Sequence, residues 1–333
     1  MLTDHQAHWY PRSAFDLVMD RPGFPTARRT SGGIEFALNE RFRSVLTDDF
    51  LELELQFRDM DDNGVGCMVG NPAVVPGDVT AFELPLAIEM CELLNEEMGR
   101  AQREAPDRFI GIASLPWQDP DAALSVLERA ADVHGLQGVG LYSNIDGGPV
   151  ATEELLPVYE RIESLELPIV LHPTGSTAMA AAYSRYGPAV EMISWLFDSS
   201  AAALALIYGG VLDACPRLVV LHPHLGGGLP FVRARIAAFH GLPGRDVSHP
   251  VEEYFRERFF VDSLTATPGA YALAEEMYGA ERIVFGSDYP FVPRRAALGF
   301  LRSELGEERW EALAKRSVFG GVDALETPRR STR

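Results

Sequence analysis

The sequence predicts a (β/α)8 TIM barrel, and three observations lead to this fold class. Eight short apolar runs alternate with longer helical patterns along the 333 residues of the chain. Most of these runs are almost continuously apolar, as expected for parallel strands that are buried on both faces. Four of them end in polar clusters that contain histidine or aspartate, and the carboxyl ends of barrel strands converge on one face. An open, doubly wound sheet is the second arrangement that the alternation allows.

The apolar runs predict eight strands in chain order. They are Leu2–His8, Val65–Val69, Phe109–Leu115, Gly138–Ser143, Pro168–His172, Leu218–His224, Phe259–Leu264 and Arg282–Asp288. The segments between them carry helix signals, such as Asp119 as an N-cap and Gly135 as a stop. The other predicted helices begin near Thr152 and cover Pro188–Ala214, Pro268–Tyr278 and Glu307–Ser317.

The segment from about residue 12 to about residue 50 interrupts the alternation. It is rich in Arg, Pro and Gly, and the sequence IEFAL-NE-RFRSVL within it predicts a β-hairpin with Asn39 and Glu40 at the turn. We therefore expect a small β-hairpin insertion after the first strand of a single barrel that spans residues 1–325. A polar, disordered tail over residues 326–333 would follow. Because the loops after barrel strands reach the catalytic face, the arginines of the insertion would lie near a site.

Charge and cysteine content narrow the class of function. The chain has 29 Lys and Arg against 48 Asp and Glu, a net charge of −19, which argues against binding to nucleic acid or to an anionic membrane. The three cysteines include no CxxC pair, so neither a disulfide framework nor a thiolate zinc site is expected. No signal peptide and no bilayer-spanning apolar run is recognised, which predicts a soluble, cytoplasmic protein.

The first polar cluster, DHQAHWYP, ends the first predicted strand. Gln6 and His8 are two residues apart, so both side chains face the same side of a strand, whereas His5 faces the other side. Two donors with this spacing can bind one metal ion together. A capped strand end with hydrogen-bonded polar residues is the purely structural alternative.

The other clusters end the fifth, sixth and eighth strands. His172 precedes Pro-Thr-Gly, and His224 lies just before three glycines that permit close approach of a ligand. The period of two places His222 on the same face as His224, as a candidate for substrate binding or for support of the site. Asp288 follows an apolar strand, where an unpaired carboxylate would be costly, so a metal ion or a histidine is its expected partner.

These motifs together resemble the amidohydrolase-related family, which includes the aminocarboxymuconate semialdehyde, γ-resorcylate and 5-carboxyvanillate decarboxylases. The resemblance runs from about residue 1 to about residue 320. It includes MDDNGVGCMV, DRFIGIASLPWQDPDAAL, HGLQGVGLYSNIDG, LPIVLHPTG, LVVLHPHLGGGLPFVRARI and GAERIVFGSDYPF. The resemblance implies a metal-bearing barrel that is often dimeric and cleaves a C–C bond without an organic cofactor. Zinc is the first expected ion and manganese the second.

The resemblance also implies a role for particular residues. The matching positions are His8, His172 and Asp288 as metal ligands, His224 as the catalytic histidine, Arg41 and Arg43 near an arginine that binds the substrate carboxylate, and Trp195 near a pocket tryptophan. The chain departs from the family at its first strand, where His-x-His or Glu-x-His is usual and Gln6-Ala7-His8 is found. Either Gln6 or His5 completes the metal site, or the affinity is reduced, or the site works without metal.

Three functions are compatible with these residues. The first is a metal-dependent, nonoxidative decarboxylase of a small aromatic or muconate-type carboxylic acid, with Asp288 or His224 as proton donor. The second is a hydrolase or hydratase on the same barrel, with His224 as base and Asp288 as proton shuttle. The third, suggested by Gln6, is a ligand-binding protein without catalysis. The resemblance also implies a homodimer, and a small-molecule carboxylate is the expected substrate.

Overall fold

The computed structural model describes residues 1–319 except 41, 74–77, 175–177, 187, 240–246 and 265. Its strands are β1 (Thr3–Ala7), β2 (Thr26–Thr30), β3 (Gly33–Ala37), β4 (Arg43–Leu46), β5 (Cys67–Gly70), β6 (Phe109–Gly111), β7 (Val139–Tyr142), β8 (Ile169–His172), β9 (Val220–His222), β10 (Phe259–Asp262) and β11 (Ile283–Val284). The predicted tail, residues 326–333, lies outside the described residues.

The helices lie between these strands. They are α1 (Arg12–Asp16), α2 (Asp48–Leu51), α3 (Leu53–Asn63), α4 (Leu84–Glu104), α5 (Pro120–Asp132), α6 (Leu156–Ser164), α7 (Ala178–Tyr183), α8 (Pro188–Tyr208), α9 (Val211–Ala214), α10 (Pro223–Gly226), α11 (Leu229–Phe239), α12 (Val251–Arg258), α13 (Pro268–Tyr278), α14 (Arg294–Glu304) and α15 (Gly306–Ala314). Within the described part of the chain, no helix combines the length and apolar character needed to cross a membrane.

Eight parallel strands form a closed ring, which confirms the barrel and excludes the open, doubly wound sheet. β1, β5 and β6 pair in parallel, and β7 to β11 pair in parallel in chain order. A parallel bridge between Ala113 and Val139 joins the first group to the second, and a bridge between Ala7 and Tyr289 closes the ring. Seven of the eight predicted runs contain one of these strands, and the run Val65–Val69 overlaps β5, which extends one residue further to Gly70.

The insertion holds a second, antiparallel sheet of β2, β3 and β4. β3 and β4 pair with Ala37 opposite Arg43, and the Asn39 side chain accepts the Phe42 N–H at 2.8 Å in the turn between them. β2 was not predicted from the sequence. Its residues, TARRT, carry no apolar alternation, and its pairing with β3 rests on backbone hydrogen bonds that composition does not reveal.

An apolar layer fills the barrel interior near the amino ends of the strands. It consists of Val69, Ile112, Val170, Leu221, Phe260 and Val284, with Phe319 from the segment after α15 packed among them. Two residues further along several of these strands, the residue changes from apolar to polar: Val69 is followed by Asn71, Val170 by His172, and Phe260 by Asp262. The period of two therefore places a polar layer directly above an apolar one.

Candidate metal centre and active site

Three predicted ligands meet at the carboxyl ends of the strands. The ligand atoms of His8, His172 and Asp288 all lie within 4.8 Å of one another. His172 is the last residue of β8, whereas His8 and Asp288 follow β1 and β11, the two strands at which the ring closes. The Asp288 N–H donates to the Gln6 carbonyl at 2.7 Å, so ring closure itself brings together residues that are far apart in sequence.

The His8 ring contacts acceptors on both of its nitrogens. Nδ1 lies 3.0 Å from the Asn71 carbonyl, and Nε2 lies 2.9 Å from Oδ1 of Asp288. A carbonyl accepts only, so Nδ1 carries the proton, and the lone pair of Nε2 in a neutral ring then faces a carboxylate. This arrangement suits a cation shared between Nε2 and the carboxylate, or a protonated imidazole.

His172 presents a free nitrogen to the same place. Its Nδ1 donates to the Pro173 carbonyl at 2.7 Å, which leaves the lone pair on Nε2. Nε2 is buried and has no hydrogen-bond partner among the described residues. A backbone carbonyl that fixes the tautomer of a ligating histidine is the usual support for a metal ligand. The local geometry of His172 therefore suits a metal ligand that binds through Nε2.

Burial and neighbouring groups together determine the protonation of His172, His224 and Asp288. Desolvation lowers the pKa of His172 to about 3 and also lowers the pKa of His224, so both rings are neutral near pH 7. For Asp288, burial acts to raise the pKa, but the contact with Nε2 of His8 and the electrostatic effect of the nearby histidines outweigh it, and the pKa is lowered. Neutral imidazoles beside an ionised carboxylate are the protonation states that a divalent metal requires.

Gln6 is buried in the polar layer without satisfying its amide. Neither Oε1 nor Nε2 has a hydrogen-bond partner in the described part of the chain. A Cβ on Gly286 would lie 2.8 Å from the Gln6 Cβ and 2.7 Å from the Asp262 Cβ, so these two side chains flank the glycine. A buried amide without partners costs free energy, and a cation beside Oε1 would remove part of that cost.

His5 does not lie in the cluster. Its Nδ1 is 3.1 Å from the carbonyls of Thr3 and Phe285, and its Nε2 accepts the Val318 N–H at 3.2 Å. The ring also stacks on Phe319, with ring centroids 6.0 Å apart. Both nitrogens of His5 are thus engaged away from the cluster, which leaves Gln6, on the strand face of His8, as the remaining candidate from the first strand.

His224 reaches the site from a left-handed turn. It has φ 57° and ψ 48°, and its buried Nδ1 has no partner among the described residues. The ring centroid lies 6.4 Å from that of His172. The expectation that His222 and His224 share one strand face is wrong, because β9 ends at His222 and Pro223 begins the turn.

His222 instead contacts the helix layer outside the barrel. It is fully buried on β9, and its Nε2 lies 3.1 Å from Oγ of Ser199 on α8. Burial lowers the pKa of this ring to about 3, so it is neutral there. The structure thus places His222 between β9 and α8 rather than beside the ligand cluster.

The remaining predicted residues contribute less clearly to the site. Trp195 is a half-buried residue of α8 whose Nε1 has no partner among the described residues. Arg43 lies on β4, 3.4 Å from Glu35, with its guanidinium 5.7 Å from the centre of the Phe24 ring. Arg41 lies outside the described residues. The contacts of Arg43 therefore stay within the insertion.

Asp262, the last residue of β10, was not predicted from the sequence. It is fully buried, and its Oδ1 accepts the N–H groups of His224 at 2.9 Å and of Leu264 at 3.0 Å. Oδ2 has no partner among the described residues, and burial raises the pKa of the carboxyl to about 7. The available signal was a carboxylate inside the apolar run FFVDSL, at the same strand position as the other clusters.

A buried ion pair fixes the loop that carries Asp288. Arg294 at the start of α14 is fully buried, and its Nε donates to Oδ2 of Asp4 at 2.8 Å. Asp4 also accepts the Ser287 N–H at 2.9 Å and its hydroxyl at 2.5 Å. Arg294 further pairs with Asp59 at 2.7 Å. The first strand, α3, α14 and the Asp288 loop are thereby held together.

Comparison with known proteins adds independent findings. Residues 3–317 match the amidohydrolase family. A 2-amino-3-carboxymuconate-6-semialdehyde decarboxylase of Dictyostelium discoideum is 29% identical over 249 residues, covering 72% of this chain and 66% of that protein. A gamma-resorcylate decarboxylase of Rhizobium radiobacter is 33% identical over 256 residues, covering 70% of this chain and 75% of that protein. The solved structure of a dihydroxybenzoic acid decarboxylase from a Polaromonas species, with bound manganese and 2-nitroresorcinol, has a TM-score of 0.74 at 22% identity over 94% of both chains.

The buried ion pair predicts a large loss of stability when its cation is removed. In Arg294→Met, Asp4 is left as an unpaired buried charge, and we expect the free energy of unfolding to fall by roughly 3–5 kcal/mol. Urea denaturation measures this loss, with Arg100→Met at an exposed site of α4 as control. The double variant Asp4→Asn/Arg294→Met removes both charges and should be more stable than Arg294→Met alone. A double variant that recovers nothing would contradict the ion-pair explanation.

Proposed function

This chain belongs to the amidohydrolase family, and on that premise we propose that it is a metal-dependent, nonoxidative decarboxylase of a small aromatic or muconate-type carboxylic acid. The observation that carries the proposal is the meeting of His8, His172 and Asp288 within 4.8 Å at the carboxyl ends of barrel strands. The two relatives named above, both decarboxylases by name, support the reaction class.

The donors in this cluster fit a divalent cation held by His8, His172, Asp288 and Oε1 of Gln6. Two imidazole nitrogens with two oxygens suit zinc and manganese alike, and the Polaromonas enzyme binds manganese. The bound ion would act as a Lewis acid that stabilises the negative charge left on the substrate when CO2 departs. Gln6 contributes no charge to this set, so the carboxylate of Asp288 is its single negative ligand.

The side chains around the cluster supply the proton that the reaction needs. When the bond to the carboxylate carbon breaks, its electron pair stays on the substrate carbon, and a proton must arrive there. Asp288 is ionised in this structure, so it first accepts a proton, such as that of a substrate hydroxyl, before it delivers one. His224, neutral through burial, would donate a hydrogen bond to the reacting group or relay the proton.

Arginines of the insertion and an aromatic wall would hold the substrate. We retain Arg41 and Arg43 as candidates for binding its carboxylate, because a guanidinium binds carboxylates through two parallel hydrogen bonds. Arg43 would have to release Glu35 to do so. Trp195, whose Nε1 has no hydrogen-bond partner among the described residues, is the candidate aromatic residue of the pocket. His222 would act indirectly, by joining β9 to α8 through its contact with Ser199.

Carbon dioxide release tests the proposed reaction. Wild-type enzyme is incubated with a panel of 2-hydroxyaryl and muconate-type carboxylic acids, and CO2 and the organic product are measured together; we expect them in equal amounts. His224→Ala should lower kcat by about 100-fold or more, whereas His249→Ala, which alters an exposed histidine, should not. A product that has gained water without CO2 release would favour a hydrolase or hydratase, and binding without turnover would favour a ligand-binding protein.

Elemental analysis tests the metal site. Plasma mass spectrometry of the purified wild-type protein should find about one equivalent of zinc or manganese per chain, and His172→Ala should lose it. Gln6→Ala should bind the same ion at least about tenfold more weakly, because it removes one oxygen ligand. His5→Gln is the matched control on the same strand and should keep the metal. Loss of metal in His5→Gln but not in Gln6→Ala would overturn the assignment of Gln6.

A homodimer is the assembly that we propose. Large apolar side chains are exposed on two adjoining helices: Ile193 is 52% and Phe197 49% exposed on α8, and Phe231 is 82% exposed on α11. A Cβ on Gly228, the residue before α11, would lie 3.1 Å from the Phe197 ring, so the start of α11 is close to Phe197 of α8. Exposed apolar clusters of this kind mark association surfaces.

Sedimentation velocity tests this assembly. The wild-type protein should sediment as a dimer, and Phe231→Asp should shift it toward the monomer, because the substitution places a charge within the apolar surface. Val133→Asp at an exposed position after α5 is the control and should leave the dimer intact. A wild-type protein that is monomeric at tens of micromolar would contradict the proposal.

The cytoplasmic location predicted from the sequence also stays a proposal. The three cysteines, Cys67, Cys91 and Cys215, are buried and free, and burial raises the pKa of each thiol. Free buried thiols are compatible with a reducing compartment.

A further inference from the structure

The carboxylate of Asp262 lies beside the site without belonging to the ligand cluster. From its contacts we infer that Asp262 is a positioning residue, which keeps His224 in the site by holding the backbone of the turn that carries it. The inference deepens the proposed function and rests on it where His224 takes part in proton transfer. Its structural part, the control of the turn, stands on hydrogen bonds alone.

The turn after β9 is strained and needs support. His224 and Leu225 both have positive φ, 57° and 53°, although neither is glycine. Gly226 and Gly227 continue with φ 78° and 62°. Left-handed backbone costs an L-residue about 1–2 kcal/mol, so two such residues in succession persist only where the surroundings fix them.

The surroundings leave the turn little space. A Cβ on Gly226 would lie 2.2 Å from the hydroxyl of Tyr278, and a Cβ on Gly227 would lie 2.6 Å from the Leu196 carbonyl. The turn is therefore pressed between α13 and α8, which explains the glycines. These contacts limit its outward position, but they make no hydrogen bond to His224 itself.

Asp262 supplies that hydrogen bond. Oδ1 accepts the N–H of His224 at 2.9 Å and the N–H of Leu264 at 3.0 Å, so one oxygen joins the turn after β9 to the loop after β10. A hydrogen bond from a backbone N–H to an ionised carboxylate is stronger than one to a neutral acceptor, and an amide oxygen could occupy the same position. The position of the His224 ring thus depends on an acceptor at this place on β10.

Correct placement matters more for proton transfer than for substrate binding. A misplacement of about 1 Å in a reacting group can cost about 100-fold in rate. The other proposed substrate contacts come from α8 and the insertion, which Asp262 does not touch in the described contacts. Loss of the Oδ1 acceptor should therefore lower kcat and leave KM nearly unchanged.

Three variants test the inference. Asp262→Ala removes the acceptor, Asp262→Asn retains an oxygen that can accept both N–H groups, and Asp119→Ala removes an aspartate of the same kind that caps α5 by accepting the Ala122 N–H at 2.8 Å. Each variant is purified with its metal, and its metal content and melting temperature are recorded. Amide hydrogen exchange of peptides covering residues 220–229 and steady-state kinetics are then compared with wild type.

We expect Asp262→Ala to exchange faster over residues 220–229 and to lose about 10- to 100-fold in kcat, with KM within about twofold. Asp262→Asn should restore most of both properties, and Asp119→Ala should change neither. Unchanged exchange in Asp262→Ala would overturn the inference, and so would faster exchange with unchanged kcat. If wild-type enzyme releases no CO2 from any acid, the proposed reaction fails, and the exchange result alone decides whether Asp262 holds the turn.

Discussion

The joint between the first and the last strand is the constraint on which this structure depends. The barrel closes where the backbone after β1 meets the backbone after β11, through the bridge between Ala7 and Tyr289. Asp4, Ser287 and Arg294 hold this joint by buried hydrogen bonds and an ion pair. The candidate ligands of the metal centre come from both sides of it, so the ligand geometry is set by how the two ends of the chain meet rather than by either strand alone.

Burial and neighbouring groups set the pKa values of the carboxyl groups in the polar layer of the barrel. Two carboxylates there have opposite pKa shifts. The contact with His8 and the nearby histidines lower the pKa of Asp288 in spite of its burial, whereas burial raises the pKa of Asp262 to about 7. When the pKa values of two neighbouring groups are pushed apart in this way, the group with the lower pKa can act as a base while the other keeps its proton.

Much of the fold and of the site followed from the sequence because strand ends are local features. An apolar run that ends in His or Asp predicted the positions of His172 and Asp288, and the period of two separated Gln6 and His8 from His5. The parts of the site that were not predicted depend on local backbone conformation and on contacts between residues far apart in sequence. His224 leaves the strand period at a left-handed turn, and Asp262 acts through backbone N–H groups of two loops, which no side-chain pattern reports. Arg294 lies outside every recognised motif, and its role follows only from the closed ring.

The packing of Phe319 at the amino end of the barrel has a consequence for how substrate enters and product leaves. Among the described residues, this ring and the apolar layer around it fill that end, so the candidate metal centre would be reached from the opposite rim. Substrate and organic product would then use the same route. Product and substrate would then compete for the free enzyme, so competitive inhibition by the organic product is the expected consequence of this packing.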